Sequence, residues 1–346
     1  MARDFPKHVL SAEQFDPDNL AFLFEQADYL DAADTYQGLR RKNAQRHVGR
    51  RLTSLFYQPS TRTRISFETA AVAWGMGLVS TENAKEFSSA AKGETLEDSV
   101  RVINGYRPDI IVMRHDEVGS AARSAAVSEA SIINGGDGGG EHPTQALLDS
   151  YTIFKELGRL SNLNVVMGGD LRYGRTVRSL AKILSLYENN HIEFVSVPGL
   201  FPNEDITNSL EQAGVSYGIT EDMNAAFKGA NAVYWTRLQK EYITDPSSIP
   251  EGGLVIDQDS LEFMEEDTII LHPLPRVGEI TSDVDKDPRA KYFKQAGNGL
   301  YVRMALINCL LDGSNVIPLH RRLRKSKLTP NNSTVIGETG DYAEAA

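Results

Sequence analysis

Five consecutive residues, Ser60-Thr61-Arg62-Thr63-Arg64, set hydroxyls beside guanidiniums just after the apolar stretch Leu52 to Tyr57. At a strand-to-helix turn they would join the N–H groups that the first helical turn leaves without internal partners, where the helix dipole favours an anion. Hydroxyls and guanidiniums supply donors of the geometry a phosphate oxygen accepts. The segment reads as a phosphate cradle; the plainer alternative is an exposed polar first turn.

The same chemistry recurs after other short apolar runs. Arg114-His115 follows Asp109–Met113, and GGDGGGEHPTQ, with His142 and Gln145, follows Ser131–Asn134. GDLRYGRT, ending in Arg175-Thr176, follows Asn164–Gly168; TRLQKE, with Arg237 and Gln239, follows Ala232–Trp235; His272-Pro273-Leu274-Pro275-Arg276 follows Thr268–Leu271. In open parallel sheets ligands bind beyond the carboxyl ends of the strands, so arginines sorted to those ends point to a cleft for several negative groups, a phosphate and two carboxylates. His142 either caps the helix that starts near Pro143 or donates to a developing oxyanion. His115 and His272 are assigned to structure. Asp137, Glu141 and His142 match no metal-ligand spacing. The Leu274-Pro275 bond is trans by default. Gly169 to Thr176 resembles a nucleotide P-loop with Arg in place of Lys, but a planar guanidinium does not replace a flexible ammonium, and Leu171, Arg172 and Tyr173 are bulky where backbone should wrap phosphate.

The elements that must position these groups are short apolar strands alternating with amphipathic helices, an α/β pattern of parallel sheets flanked by helices on both sides. Leu52–Tyr57, Asp109–Met113, Ser131–Asn134, Asn164–Gly168, Glu193–Val197, Ala232–Trp235, Leu254–Ile256 and Thr268–Leu271 are the strand candidates. Thr176–Leu186 is a helix with Leu180, Ile183 and Leu184 on one face. The strand number and the 346-residue length suggest two doubly wound domains, 1–147 and 148–292, divided inside the helix that begins near Pro143. A long apolar helix, Tyr301–Leu311 within 293–313, returns to the first domain; 314–346, with its basic cluster His320 to Lys325, reads as a mobile tail.

Composition narrows the classes. With 41% hydrophobic and 24% charged residues the chain is ordinary for a globular protein, and no apolar run is long enough to span a bilayer. The formal charge of −11 argues against a nucleic-acid partner and makes clustered arginines more telling. Cys309, the single cysteine, lies in the apolar run ALINCLL and reads as a core thiol. The start MARDFPKHVL lacks the apolar core of a signal peptide, and the expected location is the reducing cytoplasm.

STRTR followed by SFE, HPTQ at His142 to Gln145 and HPLP at His272 to Pro275 together resemble the transcarbamoylases, over the chain up to about Asp312. Arg237-Leu238-Gln239 and the proline at Pro273 resemble the aspartate branch rather than the ornithine branch. The resemblance implies transfer of the carbamoyl group of carbamoyl phosphate to L-aspartate, early in pyrimidine synthesis, without metal or organic cofactor. It implies that Ser60, Thr61, Arg62 and Thr63 hold the phosphate, and that Thr63, Arg114 and His142 meet the carbonyl oxygen. Gln145 and the backbone around Leu274 and Pro275 would meet the carbamoyl NH2. Arg175 would take the α-carboxylate, and Arg237 and Gln239 the β-carboxylate. Ser88 and Lys92, in a loop resembling one that the family extends into a neighbouring subunit, would complete a site shared between chains of a homotrimer, Lys92 serving phosphate and aspartate alike. The family also leaves room for regulatory chains. Transfer to another amine and a non-catalytic binding subunit are the competing readings. Gln58 and Tyr242 depart from the Glu and Arg that help close the domains in allosteric bacterial members, so the resemblance does not carry that switch with it.

Overall fold

Runs such as Ile110 to Met113 and Ala232 to Trp235 are buried on both faces and can only sit at the centre of a covered sheet. The computed structural model describes residues 5–237 and 254–313. Arg51–Phe56 (β1), Gly77–Thr81 (β2), Ile110–His115 (β3) and Ser131–Asp137 (β4) form a parallel sheet in the order β2-β1-β3-β4. Asn164–Gly168 (β5), His191–Val195 (β6), Ser216–Thr220 (β7), Ala232–Trp235 (β8) and Ile269–Leu271 (β9) form a second, also parallel, in the order β7-β6-β5-β8-β9.

The helices of the first half are Pro17–Asp34 (α1), Gln37–Asn43 (α2), Thr61–Ala73 (α3), Ala84–Phe87 (α4), Leu96–Asn104 (α5) and Ser120–Val127 (α6). Pro143–Leu157 (α7) leads to the second sheet, which carries Arg175–Leu184 (α8), Glu204–Gln212 (α9) and Met223–Phe227 (α10). Tyr292–Asp312 (α11) ends the described chain. No helix among the described residues is long and apolar enough to cross a membrane.

The two-sheet α/β architecture is the one expected, with differences that have physical reasons. β2 and β7 were not anticipated: both are edge strands with largely exposed side chains, so neither shows the apolar run of a buried strand. Leu254–Ile256 is not a ladder strand; Ile256 makes one isolated bridge to Ile280. The strand expected at Glu193–Val197 lies two residues earlier, at His191–Val195. The last helix, Tyr292–Asp312, matches the returning helix expected at 293–313; its continuous apolar stretch starts only at Tyr301 because Gly297 and Gly299, poor helix formers, interrupt the pattern before it. The Leu274-Pro275 bond is cis where trans was the default. The tail 314–346 and the segment 238–253 lie outside the described residues.

Two features of this topology position the site. In the first sheet the chain crosses from β1 to β2 on one side and returns to β3 on the other, so β1 and β3 flank the point where the winding reverses. In the second sheet β5 and β8 flank the equivalent point. Crevices open beyond the carboxyl ends of such strand pairs. α11 then packs on α1, α3 and α7, burying Val302, Ala305, Leu306 and Ile307, and the Trp74 indole N–H donates to Met304 O at 2.9 Å.

At the second crossover the backbone of β5 touches an aromatic ring. A Cβ on Gly168 would stand 2.0 Å from Trp235 Cζ3, and that ring is fully buried with its N–H held by Leu254 O at 3.0 Å. Gly168→Ala is therefore expected to lower the unfolding free energy by at least ~2 kcal/mol, the range of core overpacking. Urea denaturation checks this, and an unchanged midpoint would refute it.

Candidate active site

The turn after β1 does what its residue types suggested. Ser60 precedes α3 in a non-helical conformation, but its hydroxyl does not cap the helix. It accepts instead from Arg114 Nη1 at 3.2 Å, across the crevice from the end of β3. The first turn of α3 holds no acidic residue, and its first described backbone bond is Arg64 N–H to Ser60 O at 3.1 Å. The N–H groups of Thr61, Arg62 and Thr63 thus stand at the positive end of the helix.

The wall beside it comes from β3, β4 and α7. Arg114 is half-buried, with its Nε lacking a partner among the described residues. Burial, and then the charges of Arg175 and Arg62, bring its pKa down to about 9. His142 is the N-cap residue of α7, yet its ring makes no cap bond; Nε2 lies 3.3 Å from Thr63 Oγ1. The imidazole therefore faces the cradle. Burial and then Arg175, Arg114 and Arg303 hold its pKa well below the usual value, so it stays neutral and offers one N–H. Asp137 and Glu141 are occupied with structure. Asp137 accepts the N–H groups of Gly119 and Glu141, each at 2.8 Å, while Glu141 accepts from Ala12 N–H at 2.8 Å and pairs with Lys182 at 2.7 Å.

The second half supplies the opposite wall. Arg175 opens α8, and its Nη1 donates to Gly138 O. Gly136 has φ +116°, and a Cβ there would meet the Arg175 guanidinium at 3.1 Å, which explains glycine where the two walls touch. Arg178 Nη1 donates to Gly139 O at 2.8 Å, so α8 grips the glycine loop twice. The carboxylate of Asp170 accepts Tyr173 N–H at 2.9 Å, folding GDLRYGRT on itself rather than around a phosphate. Arg237 follows β8 at the rim.

Leu274 adopts φ +54° in the loop after β9. Its N–H donates to His272 Nδ1 at 2.7 Å, so His272 carries its proton on Nε2, which donates to Glu279 Oε1 at 2.8 Å. His272 thus does more than was assigned to it: it holds the Leu274 peptide at the cleft.

These walls enclose one cleft of about 800 Å³, to which Ser60, Thr61, Arg62, Thr63, Arg114, His142, Gln145, Arg175, Arg237, Leu274 and Pro275 all contribute. Gln58, Tyr173, Thr176 and Thr236 line it as well, and Asp116, tied to Lys85, is the acidic residue of the lining among the described residues. Thr236 went unremarked beforehand, although it directly precedes Arg237. Ser88 and Lys92 do not line the cleft. The Ser88 hydroxyl accepts Ala90 N–H at 3.2 Å, and Lys92 is exposed at the end of a short 3-10 turn. Gln239 and Tyr242 fall outside the described residues.

A cleft walled by arginines from two switch points, with a helix N-terminus in one wall, suits ligands that carry several negative groups. The first half, residues 7–155, matches the family model "Aspartate/ornithine carbamoyltransferase, carbamoyl-P binding domain", and residues 161–310 match its "Asp/Orn binding domain". The chain belongs to the aspartate/ornithine carbamoyltransferase family. Within it, the chain is 46% identical to a chloroplastic aspartate carbamoyltransferase of Oryza sativa subsp. japonica, over 88% of this chain and 85% of the relative. The solved catalytic subunit of M. jannaschii aspartate transcarbamoylase superposes with a TM-score of 0.79 at 39% identity, over 89% of this chain and 99% of that one. The Trypanosoma cruzi aspartate transcarbamoylase solved with carbamoyl phosphate and aspartate gives 0.79 at 34%, over 87% and 95%.

Arg114 links the site to stability. Its folded-state pKa lies below that of a free arginine, so keeping it charged disfavours the empty fold at neutral pH, and the penalty fades only as pH rises through about 9. A bound anion removes that penalty. Phosphate at a hundred times its Kd is expected to stabilise the protein by ~2.7 kcal/mol. Arg114→Met should melt no lower than the parent when empty, yet lose most of the phosphate-induced rise. Calorimetry with and without phosphate measures both.

Proposed function

We propose that the protein is an aspartate carbamoyltransferase acting early in de novo pyrimidine synthesis. The α-amino nitrogen of L-aspartate attacks the carbonyl carbon of carbamoyl phosphate, the bond from that carbon to the phosphate oxygen breaks, and the amine proton leaves on the phosphate. The products are N-carbamoyl-L-aspartate and phosphate. The observation that carries this reading is the meeting of Ser60, Thr61, Arg62, Thr63, Arg114 and His142 with Arg175 and Arg237 in one cleft, while Arg64 turns away to Glu68 and Glu82.

The chemistry follows from position. The α3 N-terminus with Ser60, Thr61, Arg62 and Thr63 takes the phosphate. Thr63, Arg114 and neutral His142 donate to the carbonyl oxygen as negative charge grows there, and Gln145 and the Leu274–Pro275 loop meet the carbamoyl NH2. Arg175 and Arg237 receive the two carboxylates, with Gln239 assigned beside Arg237. A guanidinium at the Arg237 position would repel the second ammonium of ornithine, which favours a dicarboxylate acceptor. Asp116, the acidic residue of the lining among the described residues, is tied to Lys85, so the leaving phosphate is assigned the role of base. Most of the rate enhancement then comes from alignment and fixed charge.

Carbamoyl transfer assayed with aspartate, ornithine and putrescine is expected to proceed with aspartate alone; activity only with a diamine would overturn the acceptor.

The proposal extends to a homotrimer with shared sites, in the cytoplasm, with regulatory chains admitted as partners. Lys92 and Phe87 (79% accessible) are exposed and do not line the cleft of their own chain, which supports the sharing. Mixed trimers of inactive Lys92→Ala and inactive Arg62→Ala chains should regain activity, since some sites then draw both intact residues. Proven mixed trimers without recovery would refute shared sites.

A further inference from the structure

One helical turn beyond Gln145, on the same face of α7, lies a fully buried carboxylate. Asp149 Oδ1 accepts from Gln145 Nε2 at 2.8 Å and from Gln295 Nε2 of α11 at 2.6 Å, while Oδ2 accepts from the Tyr234 hydroxyl of β8 at 2.8 Å. Gln295 turns its own oxygen to His272 N–H at 2.9 Å, at the head of the Leu274–Pro275 loop. One side chain thus ties together, through Gln295, the backbone of His272, the strand that Thr236 and Arg237 follow, and the helix that presents Gln145. The buried Arg303 supplies the opposite charge.

A glutamine amide has an accepting and a donating end of nearly the same shape, and only its surroundings decide which faces a ligand. An acceptor-only carboxylate at hydrogen-bond distance takes the NH2 end and leaves the oxygen for the cleft. We propose that Asp149 is a positioning residue that fixes the Gln145 amide with its oxygen toward the cleft. It thereby makes the site select a donor-bearing carbamoyl NH2 over a methyl group of similar size. This rests on the reading of the cleft as a carbamoyl phosphate site. Burial raises the Asp149 pKa to about 7 against the pull of Gln295, Tyr234, Gln145 and Arg303, so the comparison belongs at pH 8, where the carboxylate is ionised.

The test is competitive binding of carbamoyl phosphate, acetyl phosphate and inorganic phosphate to the wild-type protein, Asp149→Leu, Asp149→Asn, Gln145→Ala and the Asp149→Leu/Gln145→Ala double variant. Leucine leaves no acceptor to hold the Gln145 NH2, so the amide turns freely; asparagine keeps an oxygen toward Gln145 and Gln295 and turns its NH2 to the Tyr234 hydroxyl, which can accept. Asp149→Leu is expected to lose at least about threefold and Gln145→Ala about tenfold in preference for carbamoyl over acetyl phosphate, with phosphate affinity within about twofold, the double variant to lose no more than Gln145→Ala, and Asp149→Asn to keep the preference. Equal weakening toward all three ligands in Asp149→Leu would mean that Asp149 acts only through the fold, and would overturn the proposal. Preference retained in Asp149→Leu but lost in Gln145→Ala also overturns it, as does a loss in Asp149→Asn equal to that in Asp149→Leu. Preference retained in Gln145→Ala overturns the role of Gln145 and this proposal with it, while a wild-type protein without preference sinks the proposed function itself. Should Asp149→Leu not fold, neutron diffraction of the wild-type protein reads the amide directly. Deuterons on the Gln145 atom facing Asp149 support the proposal, and deuterons facing the cleft refute it.

Discussion

Repulsion among guanidiniums is the constraint around which this molecule is arranged. Arg114 is half-buried within the fields of Arg62 and Arg175, and its depressed pKa records the strain of keeping it charged there. A fold tolerates such crowding only when something else pins the side chains, because unrestrained cations would swing out into water. Here the pins are neutral or backbone groups: the Ser60 hydroxyl for Arg114 and the Gly138 carbonyl for Arg175. Neither cancels the positive field as a buried carboxylate would. The field survives for the ligand, and the surrounding fold offsets its cost in stability.

Behind the cations lies a second set of hydrogen bonds with one function, the removal of rotational freedom. The neutral His272 ring spans Glu279 and the Leu274 N–H, so the loop after β9 cannot turn without breaking a bond to a buried group. Asp149 gathers donors from α7, β8 and α11. Such a site does little reorganising when charge develops in it, which is what electrostatic catalysis requires. Chemistry of this kind needs exact placement more than reactive side chains, consistent with a cleft whose carboxylate among the described residues, Asp116, is already engaged by Lys85.

Much of this was legible in the residues and some was not. The arginines could be found because strand ends are short, apolar and followed at once by the side chains that matter; Asn164–Gly168 and Ala232–Trp235 were placed to the residue. β2 and β7 were hidden because their side chains are exposed or half-buried, unlike those of β4 and β9 at the opposite edges, which are buried and read as apolar runs. The span of α11 was legible as 293–313, but not the reason for its second glycine: a Cβ on Gly299 would stand 3.0 Å from Leu148 Cδ2, a close helix contact made far along the chain. His272 and Asp149 escaped for a different reason. Their importance lies in partners far along the chain, Gln295 being 146 residues from Asp149, and no local pattern records such a contact.

The placement of α11 bears on how the protein is made. The apolar faces of α1, α3 and α7 are closed by the last helix of the described chain, and the α3 end is fastened to it through Trp74 and Met304. A nascent chain that has emerged only as far as β9 holds every strand of both sheets, yet its first lobe is still open along one side. Assembly of that lobe must therefore wait until α11 has been made, and the waiting intermediate carries exposed hydrophobic surface of the kind that chaperones bind. The helix that completes the core also makes the molecule vulnerable to early termination: a chain truncated before Tyr292 would retain every strand and much of the cleft lining, yet lack the side of the core that lets them hold together.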